Sequence, residues 1–364
     1  MIWILVLSFC GSTIATLMVV ASTHRHGRWS ADHDLTGPQK MHGHAVPRVG
    51  GIGLAVGMVC GAAALVAVQH NLLRAVALLT LCAVPTIAVG LAEDITKAVR
   101  PRWRLLAPAL SGLLGAFLLK AILVRTGWNW LDASFVYPGI ALVLTMFTSS
   151  GVVNSFNIID GMNGLASMCS ALMMAAIAYI ALQVNDTLVG GLALAALGSS
   201  LGFFVWNYPR GLIFLGDGGA YFLGFYVAEL AILLLHRNPA VSPMFPLLVC
   251  IYPVFETVFS IYRRRVLRQV PPSMPDGIHL HSLIYRRVMR WAVGNRSAKA
   301  LTRRNSMTSP YLWLLCMLSV FPAVLFWDDT LVLSLSLLLF ALSYLVLYWR
   351  IVRFKVPRWL VFRR

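Results

Sequence analysis

Eleven apolar runs constrain this chain more than any other feature of it. They lie roughly at residues 2–21, 49–68, 72–92, 105–124, 137–153, 165–182, 188–206, 220–235, 244–261, 311–326 and 331–348. A bilayer core takes about 20 apolar residues per helix, and each run approaches that length. Only 12% of the 364 residues are charged, against about 25% in a soluble domain. With a mean hydropathy of +0.77, the chain reads as an all-α, polytopic membrane protein. One membrane-embedded domain, 1–364, is expected, with a long basic loop at 262–309 inside it. No basic residue precedes the first run, which therefore lacks the leading segment of a cleaved signal peptide and is taken as a retained helix.

The net charge of +17 raises the question of nucleic acid, and the placement of the charges answers it. If eleven helices alternate, 26 of the 30 Lys and Arg residues fall on one side. By the positive-inside rule, that side is cytoplasmic, the N-terminus lies outside and the C-terminus inside. The basic residues report orientation, with attraction to anionic membrane lipid as a second use. Nucleic acid is not expected as a partner. All six cysteines lie in apolar runs without C-x-x-C spacing, so they read as packing residues.

Thirteen acidic residues are few enough for each to be informative. Asp132, Asp186, Asp328 and Asp329 fall in short outer loops and are expected to be solvated. Glu229 and Glu256 fall inside the eighth and ninth spans, where an acid is either functional or a link between helices; both are left unassigned. The remaining seven, Asp32, Asp34, Glu93, Asp94, Asp160, Asp217 and Asp276, are expected on the inner side.

Those inner acids stand beside other polar groups. "EDITKAVRPRWR" carries Glu93 and Asp94, then Lys97, Arg100, Arg102 and Arg104. A carboxylate pair next to cations suits a phosphate-bearing substrate with a divalent ion; alone, it equally suits a solvated helix end with an ion pair. "NSFNIIDGMNGL" places Asn154, Asn157, Asp160 and Asn163 at every third position. Unpaired polar groups in hydrocarbon cost several kcal/mol, so a wet cleft fits them better than bilayer packing. "FLGDGG" sets Asp217 between two glycines at a helix start, where backbone can approach a ligand and amides favour anions. Helix capping is the plainer alternative. "DGIHLHSL" adds Asp276, His279 and His281, and "QKMHGHAVPRVGG" adds Lys40, His42, His44 and Arg48. H-x-H alone is a weak metal motif; neutral imidazole binds metal and its cation binds phosphate.

Taken in order, Glu93, Asp94 and Lys97, then "NSFNIIDGMNGL", "FLGDGG" and "DGIHLHSL" resemble the polyprenyl-phosphate N-acetylhexosamine-1-phosphate transferases. That family includes phospho-MurNAc-pentapeptide translocase and the GlcNAc-1-phosphate transferases of glycan initiation. The resemblance spans nearly the whole chain. It implies transfer of a sugar 1-phosphate from a UDP-N-acetylhexosamine to undecaprenyl phosphate, with release of UMP. It further implies Mg²⁺ (or Mn²⁺), a bacterial plasma membrane, a cytoplasmic active site and the first lipid-linked sugar of a cell-surface polysaccharide; a homodimer is left open.

Position by position, the resemblance makes Asp217 the metal-binding aspartate and Phe214 the aromatic that stacks on uracil. Asn154, Asn157, Asp160 and Asn163 shape the nucleotide cleft, with Asp160 also near the diphosphate and metal. Glu93 and Asp94 position or deprotonate the lipid phosphate, and Lys97 binds phosphate. His279 and His281 handle diphosphate or sugar, while Lys40, His42 and Arg48 match the first inner loop. Three residues depart from the family pattern: Glu93 for an aspartate, Asn163 for a second aspartate after D-G, and Ser282 for a third histidine. A CDP-alcohol phosphatidyltransferase is excluded because "DGMNGLASMCS" lacks that family's alanine-arginine and spaced aspartates. A lipid or solute transporter is the rival of another class, and would carry its polar groups in broken helices at the membrane midplane.

Overall fold

A computed structural model describes residues 1–32, 45–269, 276–292 and 297–353. Among these, ten helices are long and apolar enough to cross a membrane, so this is a multi-pass, all-α membrane protein. In chain order they are α1 (Ile2–Ala21), α2 (Gly51–Val68), α3 (Leu73–Thr96), α4 (Pro101–Leu119), α5 (Pro138–Ile159), α6 (Leu165–Gln183), α7 (Thr187–Asn207) and α8 (Gly216–Arg237). After α8 come two short helices, α9 (Met244–Val249) and α10 (Ile251–Tyr262), and then α11 (Ala298–Leu325) and α12 (Thr330–Val352). Between their ends, helices satisfy backbone groups within themselves, as hydrocarbon demands.

Helix α8 is the axis of the bundle. Its residues from Gly216 to Leu235 are all buried, and it packs against α2, α3, α4, α5, α6 and α7. Small residues let helices meet closely where apolar attraction gives no advantage over lipid. Thus α1, α2 and α7 form a tight trio in which Ser8 Oγ lies 2.8 Å from the Gly57 carbonyl and 2.5 Å from that of Ala195.

The ninth apolar run is not one helix: it breaks at Cys250 between α9 and α10. Pro253 has no N–H for the Val249 carbonyl and its ring crowds that carbonyl, which stops a continuous helix there. Within 262–309, Arg263–Leu267 and residues 280–292 are helical, and α11 begins at Ala298. Ser297 caps α11, accepting from Ala300 N at 3.3 Å, well before the apolar stretch begins.

The end of the bundle opposite the candidate site also differs from expectation. Asp186 is not solvated but 5% exposed. It caps α7 through Val189 N at 3.2 Å and takes Arg237 Nε at 2.6 Å and Asn238 Nδ2 at 3.0 Å. Asp132 accepts from the Thr126 and Gly127 amides. A two-residue antiparallel ladder, β1 (Ala31–Asp32) with β2 (Val46–Pro47), leads into α2.

Candidate functional site

The C-terminal ends of α3 and α5 and the N-terminal ends of α2 and α8 meet at one end of the bundle. Helix α3 stops at Lys97, whose φ of +52° is left-handed and whose N–H reaches the Glu93 carbonyl at 2.8 Å. Pro101 then opens α4 at a position suited to proline. This turn leaves Glu93 and Asp94 facing inward. Asp94 is 3% exposed, and its two oxygens accept the backbone N–H groups of Asp217 and Gly218, each at 2.8 Å. The carboxylate thereby pairs two free amides at the start of α8. Gly216, at φ +73°, is required here: a Cβ would meet the Arg48 carbonyl and lie 2.6 Å from Asp94 Oδ2.

Asp217, pinned by its backbone, turns its carboxylate toward three other elements. Asn157 Nδ2, from the last turns of α5, donates to Oδ1 at 2.9 Å. Arg48 Nη2 lies 3.4 Å from Oδ1 and Arg104 Nη1 lies 3.8 Å from Oδ2. Arg48 is carried there by backbone pairing, in which Phe214 N donates to the Pro47 carbonyl at 2.7 Å and Gly50 N to the Phe214 carbonyl at 3.1 Å. Arg104 also pairs with Glu93 Oε1, and Glu93 Oε2 accepts Val99 N at 2.9 Å. Asn154 donates to the Arg104 carbonyl at 3.1 Å and to that of Ser150 at 2.8 Å.

Asp160 ends α5. Burial pushes its carboxyl up to about 7; Arg48 opposes that rise, while Asp217 and Asp94 add to it. Three carboxyls and two guanidinium groups thus act on one another across the junction. Such a set accepts anions and cations together, which is the requirement of a diphosphate handled with a divalent ion.

The histidines approach from the other side. His281 Nε2 packs against Gly161, where a Cβ would sit 2.6 Å from it. Burial, and then the neighbouring His279, lower the His281 pKa to about 4, against the pull of Glu256 and Asp276. The two imidazoles lie nearly parallel, with centroids 5.4 Å apart and planes 7° apart. His279 Nδ1 bonds Glu256 Oε1 at 2.9 Å. Burial works against the Asp276 carboxylate, yet His279 and Arg263 hold it below its usual range.

Not every expected residue joins this cluster. Asn163 is 4% exposed and serves as a latch: its N–H donates to Asn305 Oδ1 at 2.7 Å, and its carbonyl accepts Ser309 Oγ at 2.6 Å. Lys97 is exposed and closes α3 through its backbone; Phe214 is half-buried. Lys40, His42 and His44 lie outside the described residues.

The sequence reading left Glu256 unassigned and passed over Arg263 and Tyr344. A carboxylate within an apolar run and a histidine ahead in the chain were the available signal for the first.

Asp217 and Asp160 are the carboxylates at the junction that could hold a metal. Among the described residues no group of three His, Cys, Asp or Glu side chains could hold an ion alone. This thin donor set fits Mg²⁺, which keeps waters and substrate phosphates about it and takes one or two protein carboxylates.

The sequence pattern of glycosyl transferase family 4 matches residues 76–235. A probable undecaprenyl-phosphate N-acetylglucosaminyl 1-phosphate transferase of Bacillus subtilis is 28% identical over 304 residues, covering 80% of this chain and 79% of its own. An undecaprenyl-phosphate alpha-N-acetylglucosaminyl 1-phosphate transferase of Escherichia coli is 26% identical, covering 68% of this chain and 67% of its own. A phospho-N-acetylmuramoyl-pentapeptide-transferase of Caldanaerobacter subterraneus is 30% identical over 202 residues, 50% of this chain and 61% of its own.

Proposed function

Since the chain belongs to glycosyl transferase family 4, we propose that it transfers an N-acetylhexosamine 1-phosphate from a UDP-sugar to undecaprenyl phosphate. The products are UMP and a diphosphate-linked lipid sugar, the first of a cell-surface polysaccharide. The observation that carries this reading is the junction where Asp94 holds the start of α8 and Asp217 meets Arg48, Asn157 and Arg104. The residue types at that junction match the needs of phosphoryl transfer between two anions.

An oxygen of the lipid phosphate attacks the sugar-bearing phosphorus. The new P–O bond forms as the anhydride bond to UMP breaks, and that electron pair leaves on the UMP phosphate. Arg48 and Arg104 offset repulsion between the two anions and the charge gathering on UMP. Asp217 and Asp160 would hold Mg²⁺, which would supply positive charge to the phosphates. Asn157 orients Asp217, and Glu93, paired with Arg104, faces the acceptor phosphate. Phe214 offers its ring to uracil, and the imidazole of His281 faces the donor near Asp160. The site works at the cytoplasmic face of a bacterial plasma membrane, in keeping with the concentration of basic residues on the side that carries these motifs.

The test is direct. Purified protein in lipid, with undecaprenyl phosphate, Mg²⁺ and a panel of UDP-N-acetylhexosamines, should release UMP and form a butanol-extractable sugar lipid. If no UDP-sugar supports release, the reading fails.

A further inference from the structure

A second carboxylate network lies beside the Asp217 junction, centred on Glu256 of α10. Its side chain is fully buried, yet its two oxygens face three donors. Oε1 meets His279 Nδ1 at 2.9 Å and Leu280 N at 3.1 Å, and Oε2 accepts the Tyr344 hydroxyl at 2.6 Å. Because Leu280 N–H already makes Oε1 an acceptor, His279 shares that oxygen as an Nδ1–H donor. Tyr344 lies on α12 and is itself fully buried, so three separate segments meet at one carboxylate.

The other edge of that imidazole faces Asp276. His279 Nε2 lies 3.6 Å from Asp276 Oδ2, and Asp276 is held by Arg263 and by Ser260 Oγ at 2.9 Å. The ring stacks on His281, and His281 Nε2 packs on Gly161, next in sequence to Asp160. A charged group enclosed by apolar helices is costly, and well-packed apolar residues commonly fill such space at no loss of stability. Its three directed contacts, two of them to His279 and the residue after it and the third to Tyr344, identify a group kept for orientation. Carboxylates that orient imidazoles in this manner set the tautomer and ring plane.

We propose that Glu256 is a positioning residue for the transfer: with Tyr344 it keeps a proton on His279 Nδ1 and fixes the plane of the stacked His279–His281 pair against the Asp160 turn. This rests on the transfer reading given above.

Two readouts test it. In ¹⁵N-histidine-labelled protein, NMR should show an Nδ1-protonated imidazole that disappears in His279→Asn and shifts in Glu256→Gln. An unprotonated Nδ1 on His279, or a signal indifferent to Glu256→Gln, would overturn the proposal whether or not the protein turns over. In the UMP assay, Glu256→Gln should lower kcat about tenfold with KM little changed, and Glu256→Asp should recover part of the loss. Combined with His279→Asn, Glu256→Gln should add nothing further; multiplying losses would overturn the proposal. If Glu256→Gln fails to fold, Tyr344→Phe keeps the carboxylate and should lower kcat about threefold, with wild-type kcat counting against the proposal. Absence of UMP release from wild type with the NMR result intact would refute the transfer reading alone.

Discussion

Asp94 and Asp217 are joined side chain to backbone: Asp94 Oδ1 accepts the Asp217 amide at 2.8 Å while Oδ2 takes the next amide along. The acid of α3 therefore sets where the acid of α8 stands. Glu93, its neighbour, instead pairs with Arg104 and the Val99 amide.

Asp94→Asn keeps one acceptor and turns an amino group toward a backbone N–H. Losing that bond at a buried site costs about 1–3 kcal/mol, and Asp217 shifts with its turn. UMP release should fall by more than about tenfold. Glu93→Asp retains a carboxylate facing Arg104 and should stay within about threefold of wild type. The opposite order in the same assay would exchange the two roles.

Asn305→Ala should destabilise the protein without touching the Asp217 junction. It removes the Oδ1 that takes Asn163 N at 2.7 Å and leaves that buried amide unpaired, at about 1–3 kcal/mol. Thermal unfolding of the purified protein should move several degrees lower.

The buried His281 imidazole gives a pH dependence of stability with a definite sign. Its pKa falls to about 4 in the fold from an ordinary value of 6.5, so between those values the unfolded chain binds a proton that the folded one refuses. Stability rises with pH across that window; above about 6.5 the penalty is gone, and below about 4 it is complete. His281→Gln should flatten the unfolding-temperature profile between pH 4 and 6.5 relative to wild type.

Glu229 offers the reverse case. It is fully buried in α8, and among the described residues neither carboxyl oxygen has a hydrogen-bond partner. Gly115 of α4 leaves room for it, since a Cβ there would collide with Oε1. Glu229→Met fills similar volume without the unmet polar group, and should raise stability by about 1–3 kcal/mol. Turnover should stay within about twofold of wild type; a lower unfolding temperature would show that the carboxyl is stabilising.

Hydropathy alone located the ten long helices, because hydrocarbon leaves few other backbone solutions. It did not reveal the break inside the ninth run, where apolar composition conceals the effect of Pro253, or the start of α11, where polar turns carry no apolar signal. Clustering of the inner acids was legible because four motifs fell at helix ends on one predicted side. The pairing of Glu256 with His279 was not legible: the partners stand 23 residues apart, and only the fold closes that distance. Likewise, Asn163 looks in sequence like a cleft residue, and its ties to Asn305 and Ser309 exist only in three dimensions.

Helix α8 meets protein on every side along its apolar length, so Asp217 rides on a helix with no lipid neighbours. Hydrophobic mismatch acts on helices through their lipid-facing surface. Thinning or thickening the bilayer therefore reaches Asp217 only after the surrounding helices have tilted, and the ring around α8 works as a mechanical buffer. The geometry between Asp94 and the start of α8 belongs to the protein interior, insulated from the acyl-chain length of the host membrane.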